Sequence, residues 1–494
     1  MQLTTSLIIA SAALASATAS LHDVNSPHLA RLQRRQSNQD AASVAKETDP
    51  KQECEAAYQN PLEGLKGKKL PEPQKIAEII DGDDEAKKVW QEIQDSGIIP
   101  KDVKQKKDTT SDQQTSNMGT SAQASNYDVQ GDPDCWWTAN RCTEPKHDKI
   151  PKDISSCPEP STWGLTFDDG PYCSHNEFYD FLKKKKLKAT LFYIGTQMYN
   201  FPLQAQRGLA DGHDICVHTW AHRYMTTLSD EQVFAELFYT ARAIKILMGV
   251  TPSCWRPPFG DTDDRVRAIA AGLGLRTIVW EEDTNDWQVD QGKTEDDIRN
   301  NYQNIIGKAD SESPIVLSHE LSTKTMKLFE EMEPKISDAY KHIVPITACQ
   351  NVTKPYAEDI TYPDFADFIK GNIEPKGVPD IGDIKANPDA NYKVVKLSDM
   401  KNGYANPGQG SSGGSKDGSG NGSDGGSKDS GKDGKGENGS SSLLDAKIGV
   451  ISVLVAMVIG TAVVAFWWTP HLITMSGFHE AFLRDRFHSL LFTV

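Results

Sequence analysis

Between residues 135 and 352, short apolar runs alternate with longer stretches in which apolar residues recur every three or four positions. The runs read WGLTF, KATLFYI, HDICVH, SCWRPPF, LRTIVWEED, SPIVLSH and HIVPIT. Each has the length of a buried strand, and the stretches between them have the length and spacing of amphipathic helices. Strands alternating with helices predict a parallel sheet or a β/α barrel.

Outside this region the pattern changes. Within residues 54–100, KIAEIIDGDDEAKKVWQEIQDSGII has helical spacing, with Ile76, Ile79, Ile80, Val89, Trp90 and Ile93 as one apolar set. Residues 101–132 are polar and read as a linker that closes an N-terminal extension beginning at 36. Residues 354–405 form a C-terminal extension, and 406–442 are a Gly/Ser/Asp/Lys tether. Ile448 to Trp468 carry no charge over about the 20 residues that span a bilayer.

Both ends carry targeting signals. Residues 1–19 have the apolar core and the small residues Ala17 and Ala19 of a secretory signal, although no basic residue precedes that core. Arg34-Arg35 then marks the end of a short pro-segment, 20–35, or simply a charged loop. At the other end, Asn438-Gly439-Ser440, a short spacer and the apolar stretch resemble a glycolipid (GPI) attachment signal, with Asn438 as the attachment site. The chain continues beyond the apolar stretch, so a transmembrane helix in 443–494, with Arg484 and Arg486 inside, is the other reading. Either places the protein at the plasma membrane and cell wall.

Composition narrows the partners. A formal net charge of −16 excludes a broad nucleic-acid surface. The densest basic run, Lys183 to Lys186, follows EFYDFL and reads as a solvated helix end. Eight scattered cysteines without a CxxC point to disulfides in a secreted chain, with the connectivity open. Sequons at Asn351, Asn421 and Asn438 fit that route.

The chemistry concentrates where the apolar runs end. GLTFDDG places Asp168 and Asp169 side by side. VHTWAHRY places His218 and His222 four apart, a spacing that brings both imidazoles to one face of a helical turn. Two histidines and one carboxylate make a three-ligand metal set with positions left open. The HExxH pattern of a metalloprotease is absent because Thr219 follows His218, so a base must come from elsewhere. WRPPFGD, EEDTNDW and IVLSHE end three further runs, as expected of a β/α barrel, whose chemistry gathers at the C-terminal ends of its strands.

In this order and spacing, TFDDG, HTWAH, RPPFG, DTNDW and IVLSH resemble the five motifs of the polysaccharide deacetylases of carbohydrate esterase family 4, over residues 157–352. The secreted and tethered architecture is most similar to that of fungal chitin deacetylases. The resemblance implies a distorted (β/α) barrel of seven units within 133–353 and a divalent metal, zinc or cobalt. By the same resemblance Asp169, His218 and His222 hold the metal, Asp168 is the base and His319 the acid. Arg256 orients the base, and Asp286 holds His319, with Asp283 as its rival. The backbone N–H of Phe259 helps to bind the oxyanion, and Leu317 walls the pocket for the acetyl methyl. Tyr172 is expected to touch the polymer, and Trp220 and Trp287 are further aromatic candidates for which burial in packing is equally expected.

The expected function is metal-dependent removal of N-acetyl groups from chitin by a monomeric enzyme at the cell surface. Alternatives are an esterase or deacetylase acting on another acetylated polysaccharide, such as O-acetyl xylan, and a wall protein that binds sugar without chemistry. The last would lack the base, the acid or a ligand, and none is missing. The role of residues 36–132 stays open: cover, pro-segment or spacer.

Overall fold

The computed structural model describes residues 40–55, 58–107 and 127–404. The signal and pro-segment, the middle of the linker, the tether, the anchor region, Asn421 and Asn438 lie outside the described residues. Among the described residues no helix is long and apolar enough to cross a membrane.

Every expected apolar run forms a strand, and LRTIVWEED supplies two. The strands are β1 (Thr162–Gly170), β2 (Thr190–Tyr193), β3 (Asp214–Val217), β4 (Cys254–Trp255), β5 (Arg276–Thr277), β6 (Glu282–Asp283), β7 (Ile315–Leu317) and β8 (His342–Val344). Seven run in the order β5-β4-β3-β2-β1-β7-β6, all pairs parallel, and β8 pairs with the start of β1. The sheet curls into the distorted (β/α)7 barrel. Its strands read as unbroken apolar runs because helices cover the outside while side chains fill the inside.

Numbering only helices of nine or more residues, these are α1 (Asp84–Asp95), α2 (Asn176–Lys185), α3 (Pro202–Ala210), α4 (Asp230–Met248), α5 (Asp264–Gly272), α6 (Glu295–Ile306) and α7 (Thr323–Ala339). Helix α4 starts at a Ser229/Gln232 capping box and stops at Gly249, whose φ of 76° fits glycine. The lysine run ends α2, where positive charge faces the carbonyl end of the helix dipole.

The extension is partly helical, with short turns of helix at Ala41–Val44, Pro50–Cys54 and Glu63–Leu65 before α1, but it departs from expectation in one place. Gly82, at φ 83°, and the N-cap Asp83 break the apolar set, and residues 75–80 form neither helix nor strand. The local spacing was overridden by tertiary hydrogen bonds: Ala77 N–H donates to Glu236 and Ile80 N–H to the Tyr239 hydroxyl, both on α4. Asp83 pairs with Arg242, and Trp90 packs on Phe234 with ring centroids 5.3 Å apart. The described extension therefore covers α4, which is buried on nearly every face. The C-terminal extension also returns to the barrel: Ile215 N–H donates to the Tyr356 hydroxyl at 2.7 Å, and Tyr404 bonds Asp214.

All eight cysteines pair, as Cys54–Cys173, Cys135–Cys142, Cys157–Cys349 and Cys216–Cys254. Asn351 sits half-buried in a turn, where its Oδ1 accepts from Phe365 N–H at 3.0 Å.

Candidate active site and metal centre

The end of β1 answers why two carboxylates stand together. Asp168 pairs with Phe192 and Gly170 with Tyr193, so Asp169 is skipped in a bulge, with φ 72°. A bulge re-aims side chains, and here it sends neighbouring carboxylates to different partners. Asp168 Oδ1 accepts from Arg256 Nη1 at 2.7 Å. Asp169 Oδ1 lies 3.1 Å from His222 Nε2 and 3.4 Å from His218 Nε2.

The two histidines reach this place by a route different from the expected one. HTWAH is a loop, not a helical turn, and two of its residues are left-handed, Thr219 at φ 65° and His222 at φ 53°. The imidazoles still converge, with ring centroids 5.1 Å apart. His218 Nδ1 lies 2.8 Å from the carbonyl of Arg256, so that nitrogen carries the proton and Nε2 presents its lone pair to the centre. The ligand atoms of Asp169, His218 and His222 all lie within 4.8 Å of one another. Asp169 Oδ1 is buried and accepts no hydrogen bond, an orphan that a cation satisfies. The donor set of two imidazoles and one carboxylate fits a divalent ion such as zinc.

Arg256 is wholly buried. Its Nη1 also donates to Thr166 Oγ1 at 2.8 Å, and its guanidinium lies 4.1 Å from the Phe192 ring centroid and 5.6 Å from that of Trp280. The cation is therefore fixed from three directions. Burial lowers its proton affinity, and Asp168 offsets only part of that.

His319 follows β7 and bridges to Asp168 through the backbone. Its Nδ1 lies 2.6 Å from Asp286 Oδ1, and its backbone N–H donates to Asp286 Oδ2 at 2.9 Å. Asp286, not Asp283, holds the imidazole; Asp283 instead accepts from Asn285 N–H at 2.7 Å. Burial opposes charge on His319, but the Asp286 carboxylate outweighs it and pushes the imidazole up to about 10. The Asp286 carboxylate thereby favours the protonated imidazole.

The remaining expected residues lie around this core. Phe259, at φ 59°, is 45% exposed, with its ring against His222 at 4.7 Å and stacked on Tyr224 at 3.9 Å. Leu317 ends β7 and is buried with Trp280. Trp287 is half-buried, and its backbone N–H donates to Asp286 Oδ1 at 2.9 Å. Tyr172 follows the Gly170-Pro171 peptide, half-buried and edge-on to Phe201. Trp220 is fully buried behind the histidine loop and offers no surface to a polymer.

Sequence reasoning missed Thr166, Trp280 and Glu320. Thr166 was legible, since it stands two positions from Asp168 on the same face of β1. Trp280 lay inside an apolar run that looked like one strand. Glu320 is buried, accepts from the Tyr179 hydroxyl at 2.7 Å and is pushed up to about 8 by burial; nothing marked it apart from an ordinary residue after a motif.

The polysaccharide deacetylase family model matches residues 155–278. Over 342 residues the chain is 48% identical to chitin deacetylase 2 of Cryptococcus neoformans var. grubii, covering 67% of this chain and 72% of that protein. Over 251 residues it is 48% identical to the chitin deacetylase of Amylomyces rouxii, covering 50% of this chain and 59% of that one, less than two thirds of its length. The solved chitin deacetylase of Colletotrichum lindemuthianum aligns with 40% of this chain and 92% of its own at 26% identity, with a TM-score of 0.38. The chain belongs to the polysaccharide deacetylase family.

Proposed function

We propose that this protein removes N-acetyl groups from the N-acetylglucosamine units of chitin at the cell surface, with a divalent metal, leaving glucosamine units and acetate. The observation that carries the reading is the bulge at Asp169, which gives one carboxylate to the histidine pair and leaves the other to Arg256. The relatives named chitin deacetylase support chitin as the substrate.

An amide is a poor electrophile and water a poor nucleophile. A cation held by Asp169, His218 and His222 supplies Lewis-acid polarisation to both. Asp168, fixed by Arg256, takes a proton from the water that adds to the carbonyl carbon. The Phe259 N–H donates to the oxygen on which charge then develops. When the C–N bond breaks, His319 gives its Nε2 proton to the departing nitrogen, and Asp286 holds the tautomer through Nδ1. One water is consumed, and one acetate and one amine are formed.

The test of substrate is acetate release by the full secreted chain from chitin oligomers and from acetylated xylan. Release from the oligomers is expected. Acetate from xylan alone reassigns the substrate, and acetate from neither contradicts the catalytic reading. Surface anchoring rests on the sequence at both ends. Release of the protein by a phospholipase specific for the glycolipid is expected; retention with an intact C-terminus favours the transmembrane reading.

A further inference from the structure

The loop that carries both histidine ligands is held from behind by a single buried carboxylate. Glu236, on α4, has no exposed surface. Its Oε2 accepts from the backbone N–H groups of Trp220 and Ala221, both at 2.8 Å, two of the three residues between His218 and His222. Its Oε1 accepts from Ala77 N–H, at 2.7 Å, in the N-terminal extension.

The extension grips the same loop at other points. Trp220 Nε1 donates to the Glu72 carbonyl at 3.0 Å, and Arg223 Nη2 to the Gln74 carbonyl at 2.9 Å. Gln74 N–H donates to Thr196 Oγ1, whose own hydroxyl donates to the Trp220 carbonyl at 2.8 Å. Below the loop, a Cβ on Gly195 would meet the Trp220 ring at 2.3 Å, so the indole lies directly on the β2 turn.

This support has something to oppose. Thr219 and His222 hold left-handed backbones, and that conformation is unfavourable for any side chain and most of all for a β-branched one. Such a loop persists only where its surroundings over-determine it. Left to itself, the loop would relax and the imidazoles would separate.

We infer that Glu236 is a positioning residue for the metal ligands, and that residues 72–77 of the extension act through it and through Trp220 as part of the metal centre. The extension is then neither a spacer nor a removable pro-segment over these residues. The inference rests on the reading of Asp169, His218 and His222 as metal ligands.

Two variants separate the two links. In Glu236→Gln the amide oxygen can still face Trp220 and Ala221, which turns the NH2 group against Ala77 N–H and breaks the link to the extension. Glu236→Ala removes both links. Zinc affinity of the secreted full chain is read by competition with a chromophoric chelator, beside thermal unfolding without metal. Outer partners of metal ligands typically change affinity by about 10–100-fold. Glu236→Gln is expected near the lower end of that range and Glu236→Ala near the upper, with kcat of the Gln variant recovering at saturating zinc. Ala77→Pro, which deletes the extension's N–H in a non-helical stretch, is expected to weaken zinc as Glu236→Gln does and to add little to it.

Wild-type zinc affinity in folded Glu236→Gln and Ala77→Pro overturns the role of the extension. Wild-type affinity in folded Glu236→Ala overturns the inference as a whole. If Glu236→Ala is not secreted, the other two variants decide. A wild-type chain that binds no zinc or cobalt contradicts the ligand assignment itself, which is a different result.

Discussion

Arg256 and Asp168 form a buried ion pair at 2.7 Å, and the same guanidinium nitrogen bonds Thr166, two residues earlier on the same face of β1. The arginine thus sets the direction of the carboxylate. Asp169, one residue further, turns to the His222 and His218 imidazoles because the strand bulges there, while His218 Nε2 also lies 3.7 Å from Asp168 Oδ2.

Asp168→Asn is therefore expected to keep the metal and lose turnover. A positioned base contributes about 10²–10⁴-fold, so kcat should fall by that order while metal content, measured after dialysis by atomic emission, stays at the wild-type level. Loss of metal together with activity would move Asp168 into the ligand set.

His222→Ala is expected to do the opposite at the first step. It removes one of three ligands, so the dialysed protein should lose its metal, and activity should return only in part with excess zinc. The unfolding temperature of the metal-free variant should match that of metal-free wild type, since His222 is partly exposed. Retained stoichiometric metal contradicts the assignment.

Asp286→Asn tests the acid. The carboxylate outweighs burial and raises His319, so its loss lowers that pKa, and the protonated imidazole disappears at lower pH. The alkaline limb of the kcat/KM profile should shift toward neutral pH, with the acid limb in place. Asp169 also raises His319, and a cation on Asp169 offsets part of that, so the loaded enzyme's limb should lie below 10. The same linkage acts on stability: the His319–Asp286 contribution is complete below the pKa of free histidine and is lost as pH rises through about 10. An unmoved alkaline limb in Asp286→Asn assigns the acid elsewhere.

Asp261 joins the RPPFGD turn to its neighbours. It is fully buried and accepts from Trp136 Nε1 at 2.9 Å, Thr138 Oγ1 at 2.8 Å and Thr226 N–H at 2.8 Å. Asp261→Ala strands these donors in the interior and should destabilise the fold by about 2–4 kcal/mol, read as a lower midpoint in urea. A midpoint within error of wild type removes Asp261 from that role.

Most of the barrel was legible because its strands are buried on both faces and so stand out as apolar runs, from WGLTF to HIVPIT. The site was legible for a related reason: its residues sit at run ends, where polar groups interrupt the apolar pattern. What stayed hidden depends on distant partners. The four-residue spacing of His218 and His222 looks helical, yet the loop is shaped by Glu236 and Thr196, which lie elsewhere in the chain. Residues 75–80 carry a helical apolar spacing, but their N–H groups are drawn to Glu236 and Tyr239. Disulfide pairing is likewise set by the fold, since no cysteine spacing joins Cys157 to Cys349.

The most direct measurement follows acetate and free amine released from N-acetylglucosamine oligomers by the full secreted chain. It is made before chelation, after chelation, and after zinc or cobalt is returned. The account predicts equal amounts of acetate and amine, loss of both on chelation, and recovery with the metal. Release that survives complete chelation, or a folded, metal-loaded protein that leaves the oligomers unchanged, would contradict it.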